Sequence, residues 1–534
     1  MSRRLWSRPT VWTAVALILL ALVVSCGCSL TGTGRHYRAG TITVLETNDV
    51  HSHLFPWTYK PKSSTAVKVG GLARIATVVS QVRERERNVL LLDAGDIFYP
   101  YSLNRWRARP EIGAMNLIGY DCSAVGNHEF DLGDGQLGEA LDLAEFPFLS
   151  ANMDVSQSLP LAGKVQSYVI KSVGGHTVGI FGLITPNLHD ISSPSKQVKV
   201  DSDLVAKVVE MVSYLRPRAD LVFALTHIGL RQDVKLARSV SGIDVIFGGH
   251  SHDALEKPIE VTNPAGKRTL IVQSGCYGRF VGKLQLECSP DGIASYQWSL
   301  LNVDESVEDD VRVASFLEPF RPADEEQVGI IEADLKLFGA ELLATDSTVG
   351  TLVCDAIAEQ FPTAAVVAVN SGGIRGDFQP AGPITRSRID EILPFRNQIV
   401  LVWVSGSELE SMLERSVQAL PRPSGGFLQL SGLEVTVRLA RRPVLVGREG
   451  KPVRPGERIV SVSVGGKPLD ERENYLIATI DYLAGGGDGY MELARAKNRI
   501  LTGKTLNDIL ADYIKSHSPL HPRRRRAYRF VWDE

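Results

Sequence analysis

Five short apolar segments in the first half of the chain each end in polar residues that are able to bind a metal ion. The segments cover residues 41–47, 88–92, 120–125, 221–225 and 243–247, and their β-branched and aliphatic composition is typical of strands. Stretches with helical periodicity lie between several of them, which indicates a parallel or mixed sheet with helical crossovers. Because chemistry in such folds gathers where strands end and loops begin, the five polar ends are expected to meet.

The polar residues at these ends have the chemistry of metal ligands. They occur in the runs NDVHSH, GD, GNHEFD, TH and GGHSH. The candidate ligands are Asp49, His51, Asp96, Asn127, His227, His250 and His252. A lone Asp-x-His pair is more often a turn aspartate beside a surface histidine, but the repetition at five strand ends favours a shared site. Carboxylate, amide and imidazole ligands together suit zinc, manganese, cobalt or iron.

The order Asp-x-His, Gly-Asp, Gly-Asn-His-Glu, Thr-His and Gly-His-x-His resembles the pattern of the calcineurin-like binuclear metallophosphatases, and the flanking residues resemble their 5′-nucleotidase branch. The resemblance implies an α/β fold whose first domain has four layers, α/β/β/α. It also implies two divalent metal ions that share Asp96 as a bridging ligand. The other implied ligands are Asp49, His51 and His252 for one ion, and Asn127, His227 and His250 for the other.

Two ions about 3.5–4 Å apart are able to clamp a phosphoryl group and to lower the pKa of a bridging water, which then attacks as hydroxide. His128 resembles the family's catalytic histidine, which donates a hydrogen bond to the phosphoryl oxygens. Asp131 would hold that imidazole protonated and oriented; the alternative is that Asp131 caps a helix whose pattern starts at residue 134. Three further residues have weaker cases, namely Glu129 as a loop support, His53 as an outer neighbour of the ligands, and His189.

The second half of the chain carries residues suited to recognising a substrate. A predicted buried strand is followed by Asn370 and, after two glycines, by Arg375, which is able to pair with a phosphate or a carboxylate. Phe395 follows a turn, and Tyr482 precedes a glycine-rich loop that contains Asp488. Taken singly, Phe395 and Tyr482 would more often be core residues.

Together these residues resemble the C-terminal domain of 5′-nucleotidases, an α+β substrate domain, so the resemblance extends over nearly the whole chain after its leader. It implies that a nucleobase stacks between Phe395 and Tyr482. Further substrate contacts are implied for Asn370, for Arg375 and, at the ribose, for Asp488. One departure is Leu343, where relatives often carry an arginine. Loss of that cation would weaken a phosphate or base contact and leaves strict specificity for nucleoside monophosphates open.

The N-terminus resembles a lipoprotein signal peptide. Three arginines precede an apolar stretch at residues 11–24, which is shorter than the about 20 residues of a bilayer span. The run Val-Val-Ser-Cys resembles a lipobox and implies cleavage after residue 25 and a lipid on Cys26, with residues 26–40 as a tether; an uncleaved anchor helix is the alternative. The protein is therefore expected outside the cytoplasm, periplasmic or at the cell surface, on a bacterial membrane, with the outer membrane favoured.

The domain organisation and the partners follow from composition and from the resemblance. Residues 41–303 are expected to form the catalytic domain, residues 304–337 a helical linker with the hinge, and residues 338–534 the substrate domain. A net charge of −3 gives no reason to expect a nucleic acid polymer as a partner, and the protein is expected to act as a monomer. Cys276 and Cys288 are expected to be buried free thiols, with a disulfide between them as the alternative.

These features predict a metal-dependent phosphohydrolase that converts nucleotides outside the cytoplasm into nucleosides and phosphate. Two alternatives stay open. One is a related phosphoesterase acting on cyclic nucleotides, nucleotide sugars or another ester, and the other is a lipid-anchored nucleotide-binding protein without activity. The full set of ligands together with His128 favours the enzyme.

Overall fold

The structure is a computed structural model, and it describes residues 40–59, 67–289, 292–321, 327–337, 339–376, 378–446 and 452–531. The predicted signal peptide, Cys26 and the tether up to residue 39 lie outside the described residues. Within the described ranges, no helix has the length and the apolar character needed to cross a membrane.

Two sheets lie at the centre of the first domain. The first has seven strands, in the spatial order Gly292–Asn302, Phe280–Ser289, Gly40–Thr47, Val89–Asp93, Cys122–Ala124, Phe148–Leu149 and Val165–Gln166. The second has six, in the order Ile259–Thr262, Arg268–Val272, Val245–Gly248, Leu221–His227, His176–Ile184 and Tyr168–Val173. Most neighbouring strands run parallel, and the antiparallel pairs lie toward the edges.

Helices cover the outer faces of both sheets and complete four layers. Side chains such as Val44 and Phe223 fill the core between the sheets. The first sheet packs outward against the helices Leu72–Arg85, Arg109–Ile118 and Val311–Leu317, and the second against Leu204–Leu215 and Leu230–Ser239. The other helices of this domain are Pro100–Trp106, Gly133–Leu143 and Leu188–Ile191. The predicted α/β/β/α arrangement is confirmed.

The helix Leu204–Leu215 shows how local sequence determines these elements. The side chain of Asp203 accepts a hydrogen bond from the backbone N–H of Ala206 and so caps the first turn. Its buried residues recur at helical spacing, and they are Val208, Met211, Val212 and Leu215. This apolar stripe faces the second sheet, whereas the opposite side is polar or exposed.

A five-stranded and a four-stranded sheet form the second domain. The five strands lie in the order Leu428–Ser431, Val366–Asn370, Asn474–Ile480, Gln398–Ser405 and Arg499–Thr505, and the four in the order Lys467–Pro468, Ile459–Val464, Leu433–Arg438 and Tyr528–Val531. The helices are Ala340–Ala344, Thr348–Gln360, Arg386–Ile392, Gly406–Ser416, Asp481–Ala484, Met491–Arg495 and Leu506–Ser516. These elements share one hydrophobic core, which is separate from those of the first domain.

Short ribbons and turns complete the described chain. The two-stranded ribbons pair Trp57–Tyr59 with Val67–Val69, Met153–Asp154 with Lys199–Val200, Gln327–Ile331 with Gly382–Thr385, Leu335–Lys336 with Phe378–Gln379, and Leu445–Val446 with Pro452–Arg454. The 3₁₀ turns are His128–Phe130, Glu318–Phe320, Ser371–Gly373 and Gly487–Gly489.

Within residues 304–321 and 327–337, the described parts of the predicted connector, helical structure is confined to the first part. The helix Val311–Leu317 is followed by the 3₁₀ turn Glu318–Phe320, whereas the sequence pattern predicts an amphipathic helix over residues 311–327 that Pro319 and Pro322 interrupt. Arg321 is extended, with ψ 129°, because a following proline excludes the helical conformation.

The two parts of this connector belong to different domains. Val313 and Leu317 of the helix are buried in a core of the first domain. The segment Gln327–Ile331 is a strand that pairs with Gly382–Thr385, and Ile331 is buried in the core of the second domain. Pairing with a distant strand therefore overrides the helical pattern at this end of the connector.

The described cysteines are free thiols, so no disulfide joins Cys276 and Cys288. Cys288 is buried, as predicted, whereas Cys276 is only half-buried. Cys122 and Cys354 are also buried. Cys276 lies in the loop after the strand Arg268–Val272, next to His252, and this loop borders the interdomain space.

Candidate active site

The five polar strand ends meet at one edge of the two central sheets. In the first sheet, Asp93 is paired in register with both Thr47 and Ser123. In the second, Thr226 is paired with Gly248. The loops that carry the seven predicted ligands leave from these positions, so parallel pairing brings residues from distant parts of the sequence together.

The first cluster of ligand atoms consists of Asp49, His51 and His252. Nε2 of His252 lies 3.3 Å from Oδ1 of Asp49 and 3.1 Å from Nε2 of His51. The backbone N–H of His250 donates to Oδ2 of Asp49 at 3.0 Å and so links the loops of the two sheets. These three side chains bring their ligand atoms within 4.8 Å of one another.

The second cluster consists of Asp96, His227 and His250, whose ligand atoms also lie within 4.8 Å of one another. Oδ2 of Asp96 is 3.0 Å from Nε2 of His227 and 3.9 Å from Nε2 of His51. Asp96 therefore lies between the two clusters. Asn127 lines the same cavity as Asp96 and His250 and is 3% exposed.

The buried polar atoms of the second cluster fit a divalent cation. Nδ1 of His227 donates to the carbonyl oxygen of Ala94 at 2.7 Å, and this contact directs Nε2 toward Asp96 and the centre of the second cluster. Oδ1 of Asn127 makes no hydrogen bond within the described residues, although it is buried. A buried polar atom without a partner is costly, and coordination of a cation removes that cost.

Five of the seven candidate ligands have a left-handed backbone. They are Asp49 (φ 50°), His51 (φ 47°), Asp96 (φ 56°), His250 (φ 76°) and His252 (φ 59°). This conformation is uncommon for residues with a side chain and costs of order 1–3 kcal/mol each. Such strain concentrates where a structure must direct side chains into a site, and here it turns carboxylates and imidazoles toward one point.

The charges of the ligands stabilise one another. Burial acts to raise the pKa of Asp49, but the His252 and His227 imidazoles outweigh it and lower that pKa. Burial and the neighbouring His227 lower the pKa of His250 to about 4. Burial lowers the pKa of His227, but the Asp96 and Asp49 carboxylates raise it to about 10. Cation binding therefore has to displace a proton from His227. His250 is already neutral near neutral pH and has no proton to lose from its ligand nitrogen.

His128 lies between this cluster and a second carboxylate. Nδ1 of its ring is in hydrogen-bond contact with Oδ2 of Asp131, and Nε2 lies 3.9 Å from Oδ2 of Asp96. Burial lowers the pKa of His128, but the two carboxylates outweigh it and raise that pKa. The hydroxyl of Ser192 donates to the other oxygen of Asp131 at 3.0 Å. The helix that follows begins at Gly133 and has no side-chain cap, so Asp131 orients His128 rather than capping a helix.

The three weaker candidates have structural contacts. Glu129 accepts hydrogen bonds from the backbone N–H groups of Asp96 (3.0 Å), Ile97 (2.8 Å) and Gly126 (2.7 Å), so it holds two ligand loops together. Burial and the Asp96 carboxylate raise the pKa of Glu129 to about 8. Nδ1 of His53 lies 3.0 Å from the carbonyl oxygen of Val50 and 3.0 Å from that of His51. Nε2 of His189 lies 2.9 Å from the carbonyl oxygen of Val198, outside the ligand clusters.

A cavity of about 410 Å³ joins the ligand clusters to the second domain. We call it the nucleotide pocket, after the substrate that the sequence predicts for it. The first domain contributes Asp96, Asn127, His128, Asp131, His250 and His252 to its lining, and the second contributes Asn370, Arg375, Phe395, Tyr482 and Asp488. All five residues that the sequence predicts for substrate binding thus lie together, and they face the metal-ligand residues.

Asp488 is fixed in this pocket by two neighbours. Its carboxylate accepts from Nδ2 of Asn370 at 2.7 Å and from the hydroxyl of Tyr482 at 3.1 Å. The guanidinium of Arg375 lies 5.6 Å from the ring centroid of Phe395. Leu343 does not line the pocket; it packs against the hydrophobic core of the second domain.

Sequence reasoning missed the contacts made by loop residues. Ser192 contacts Asp131, and Tyr99 lies edge-on to His51 with ring centroids 5.9 Å apart. Neither residue follows a strand with the alternating pattern that marks the ligands. The side chains reach the site through tertiary packing, for which the sequence offers no local signal.

The fold and this site define a calcineurin-like phosphoesterase with an added substrate domain. Residues 42–254 match the calcineurin-like phosphoesterase family, and residues 328–495 match the C-terminal domain of 5′-nucleotidases. The chain belongs to the 5′-nucleotidase family. The solved structure of a 5′-nucleotidase precursor from Thermus thermophilus is similar, with 31% identity, a TM-score of 0.85, and coverage of 92% of this chain and 99% of that chain.

Two further relatives differ in length. The 5′-nucleotidase of Rattus norvegicus is 28% identical over 562 residues, which cover 96% of this chain and 94% of that protein. The trifunctional nucleotide phosphoesterase protein YfkN of Bacillus subtilis is 28% identical over 523 residues, but this chain spans only 34% of its length. The protein is accordingly an enzyme, a hydrolase of phosphoric monoesters.

Proposed function

We propose that the protein hydrolyses nucleotides to nucleosides and phosphate outside the cytoplasm, with the assistance of two divalent metal ions. The observation that carries the proposal is the nucleotide pocket, in which candidate metal ligands face residues suited to a base, a ribose and a phosphate. The similarity to 5′-nucleotidases from Rattus norvegicus and Thermus thermophilus supports the same substrate class.

Seven residues would hold the ions. The set for one ion is Asp49, His51 and His252, and that for the other is Asn127, His227 and His250, with Asp96 shared. When bound, the ions supply an activated water molecule and positive charge against the phosphoryl oxygens. Zinc, manganese, cobalt and iron all suit these ligands.

The protein's own groups stabilise the charge that moves during hydrolysis. The raised pKa of His128 favours the imidazolium form, which donates from Nε2 to a phosphoryl oxygen as negative charge develops there. Asp131 holds Nδ1 of that ring, and Ser192 holds Asp131. Arg375 adds a second positive charge from the other domain.

The nucleoside would be held by the second domain. Phe395 and Tyr482 stack on the base, and Asp488 accepts hydrogen bonds from the ribose hydroxyls. Asn370 and Tyr482 orient the Asp488 carboxylate through the two hydrogen bonds described above.

Phosphate release from adenosine monophosphate tests this function. We expect chelation to abolish it and added Mn²⁺ or Zn²⁺ to restore it. A His128→Ala variant should lose activity by about 10²-fold or more while it still binds the metal. Activity that survives both complete chelation and the His128→Ala change would contradict the proposal.

The location outside the cytoplasm is a separate proposal, supported by the leader sequence. Lipid on Cys26 would anchor the mature protein, which would act as a monomer. A Cys26→Ser variant should lose incorporated palmitate and keep its leader, because the change removes both the lipid acceptor and the lipobox. Palmitate incorporation that is unchanged in Cys26→Ser would contradict the lipid anchor.

A further inference from the structure

Asn48 directly precedes the candidate ligand Asp49 and is almost fully buried. Asn48 is 2% exposed, and Asp49 is 0% exposed. Asn48 follows the strand Gly40–Thr47, so it stands at the edge of the first sheet where the ligand loops meet. A side-chain amide both donates and accepts hydrogen bonds, and a buried one needs partners on both sides. The partners of this amide indicate what Asn48 does in the site.

The oxygen of the Asn48 amide is held by the loop that follows the strand Arg268–Val272. Oδ1 of Asn48 accepts from the backbone N–H of Ser274 at 3.0 Å and from the hydroxyl of Ser274 at 2.7 Å. Because a backbone N–H is only a donor, the oxygen of the amide and not its nitrogen has to face Ser274. The surroundings therefore determine which way the amide points.

The nitrogen of the same amide faces the candidate ligand. Nδ2 of Asn48 donates to Oδ2 of Asp49 at 2.5 Å and to the carbonyl oxygen of Gly275 at 2.6 Å. A carbonyl oxygen is only an acceptor, so Gly275 requires the same orientation of the amide as Ser274 does. Asn48 thus acts on one carboxylate oxygen of Asp49, and the other oxygen receives no bond from it.

The two oxygens of the Asp49 carboxylate have different surroundings. Oδ2 accepts from Asn48 and lies 3.0 Å from the backbone nitrogen of His250, which is 3.2 Å from Oδ1. Oδ1 faces the imidazoles of three candidate ligands, and its distances to their Nε2 atoms are 3.3 Å for His252, 3.7 Å for His51 and 3.9 Å for His227. Oδ1 is therefore the oxygen that is directed into the predicted metal site.

The main chain of Asp49 is fixed without the help of Asn48. The backbone N–H of Asp49 donates to the carbonyl oxygen of Gly95 at 2.9 Å, and its carbonyl oxygen accepts from the backbone N–H of Tyr277 at 2.7 Å. These bonds leave the carboxylate able to turn about the Cβ–Cγ bond. The donor groups at Oδ2 remove that freedom, and Asn48 supplies the shorter of the two contacts.

We propose that Asn48 is a positioning residue that limits Asp49 to a single ligand oxygen, Oδ1. This inference rests on the proposed function, in which Asp49 holds one of the two ions. A carboxylate that offers one oxygen leaves coordination positions open for water and phosphate, as catalytic zinc sites do. A carboxylate that is able to turn binds through both oxygens to ions that accept many ligands, of which Ca²⁺ is the usual example. Asn48 would thus favour Zn²⁺ over Ca²⁺.

Asn48→Ala and Asn48→Asp test this role by metal binding to the chelated protein. Asn48→Ala removes the whole amide, whereas Asn48→Asp keeps an oxygen for Ser274 and loses only the donor to Asp49. We expect Asn48→Ala to lower the affinity for Zn²⁺ by about 10–100-fold, the usual effect of losing a support of a ligand. In both variants the ratio of the affinities for Zn²⁺ and Ca²⁺ should fall by about tenfold or more.

The ratio separates positioning from support of the loops. The charge added in Asn48→Asp attracts both divalent ions, so the ratio and not the affinity itself is the measure for this variant. If Asn48 served only to join its loop to Ser274, Asn48→Asp would keep the ratio of the unchanged protein, because the oxygen that Ser274 contacts is still present. That outcome would overturn the proposal.

Asn263→Ala is the matched control. Asn263 is 5% exposed, and its Oδ1 accepts from the backbone N–H groups of Ala265 and Lys267, both at 3.1 Å, before the strand Arg268–Val272 begins. It should lower the midpoint of thermal unfolding without changing the ratio. An unchanged protein that binds no Zn²⁺ would contradict the proposed metal site itself. Binding of Zn²⁺ with one common ratio in all variants would overturn only the role of Asn48.

Discussion

Gly126 leaves no room for a side chain beside the shared ligand Asp96. A Cβ atom at Gly126 would lie 2.2 Å from Oδ1 of Asp96 and 2.5 Å from its backbone nitrogen. A Gly126→Ala change should therefore displace Asp96 and lower the affinity for Mn²⁺ or Zn²⁺ by about 10–100-fold, as loss of an outer support typically does. Isothermal titration of the chelated protein with each metal measures this.

Gly135 is the matched control for this change. It lies in the helix Gly133–Leu143, and a Cβ atom there meets nothing within 4 Å. We expect Gly135→Ala to keep metal affinity and to raise the free energy of unfolding by roughly 0.5–1 kcal/mol, since alanine favours a helix. Unchanged affinity in Gly126→Ala would show that Asp96 tolerates the displacement or does not hold metal.

The contact between His128 and Asp131 predicts a change in the pH profile. The carboxylate of Asp131 helps to raise the pKa of His128, so the active imidazolium form persists until the pH rises through that raised value. In Asp131→Asn the pKa falls, and the alkaline limb of the kcat profile should move to lower pH. We expect kcat near neutral pH to fall by about 10²-fold.

Asp142→Asn serves as the control for that profile, because Asp142 is an exposed partner of Lys164 and is not among the groups that shift the pKa of His128. Its profile should match that of the unchanged protein. An Asp131→Asn enzyme that loses kcat equally at every pH would indicate a structural role for Asp131 without influence on the protonation of His128.

At the scale of single residues, the sequence predicted which candidate ligands lie together, because each follows an apolar strand. The parallel register then brings those strand ends together, as it does for Thr47 and Asp93. Ser192 and Tyr99 could not be predicted, because they reach the site through loops. The left-handed backbone of Asp49 and His51 was equally hidden, since the sequence contains no glycine at these positions.

Among the elements, the glycine-rich loop after Asp481–Ala484 depends on a side chain from another helix. Arg415 donates from Nε to the carbonyl oxygen of Asp488 at 2.6 Å, and a Cβ atom at Gly489 would lie 1.8 Å from the guanidinium. Asp488 itself has a φ of 51°, which the loop must enforce. Arg415 therefore acts as a positioning residue for the Asp488 carboxylate.

An Arg415→Ala variant should raise KM for adenosine monophosphate by about tenfold, the scale of one lost hydrogen bond to a charged group. Its kcat on 4-nitrophenyl phosphate, which lacks a ribose, should change much less. Arg422→Ala is the control, because Arg422 is exposed and near the same helix in sequence. Equal losses on both substrates would indicate that the variant disturbs the whole domain.

Element types were easier to predict than the partners of each element. The strand Leu221–His227, for example, matches the predicted segment 221–225 within two residues. The connector shows the limit, because Gln327–Ile331 forms a strand with Gly382–Thr385, more than fifty positions along the chain. Periodicity within a short segment gives no information about such a partner, and tertiary pairing decides the conformation.

For the whole molecule, the proposed function divides the chemistry from the recognition of the nucleoside between the two domains. The candidate metal ligands all come from the first domain, whereas Phe395 and Tyr482 come from the second, and the nucleotide pocket lies between them. Binding energy from a part of the substrate remote from the phosphate would thus help to hold the domains closed. The contribution of the second domain to substrate binding then depends on whether the substrate carries a base.

The double variant Phe395→Ala and Tyr482→Ala tests this division. KM for adenosine monophosphate should rise by about tenfold or more, because stacking contributes about 1–3 kcal/mol per base. Hydrolysis of 4-nitrophenyl phosphate should be much less affected, since that substrate has no base to reach the second domain. Steady-state kinetics on both substrates, with Trp403→Phe as the control, measures the ratio. Equal losses on the two substrates would mean that the second domain supports catalysis itself, and the assignment of its aromatic residues to the base would have to be abandoned.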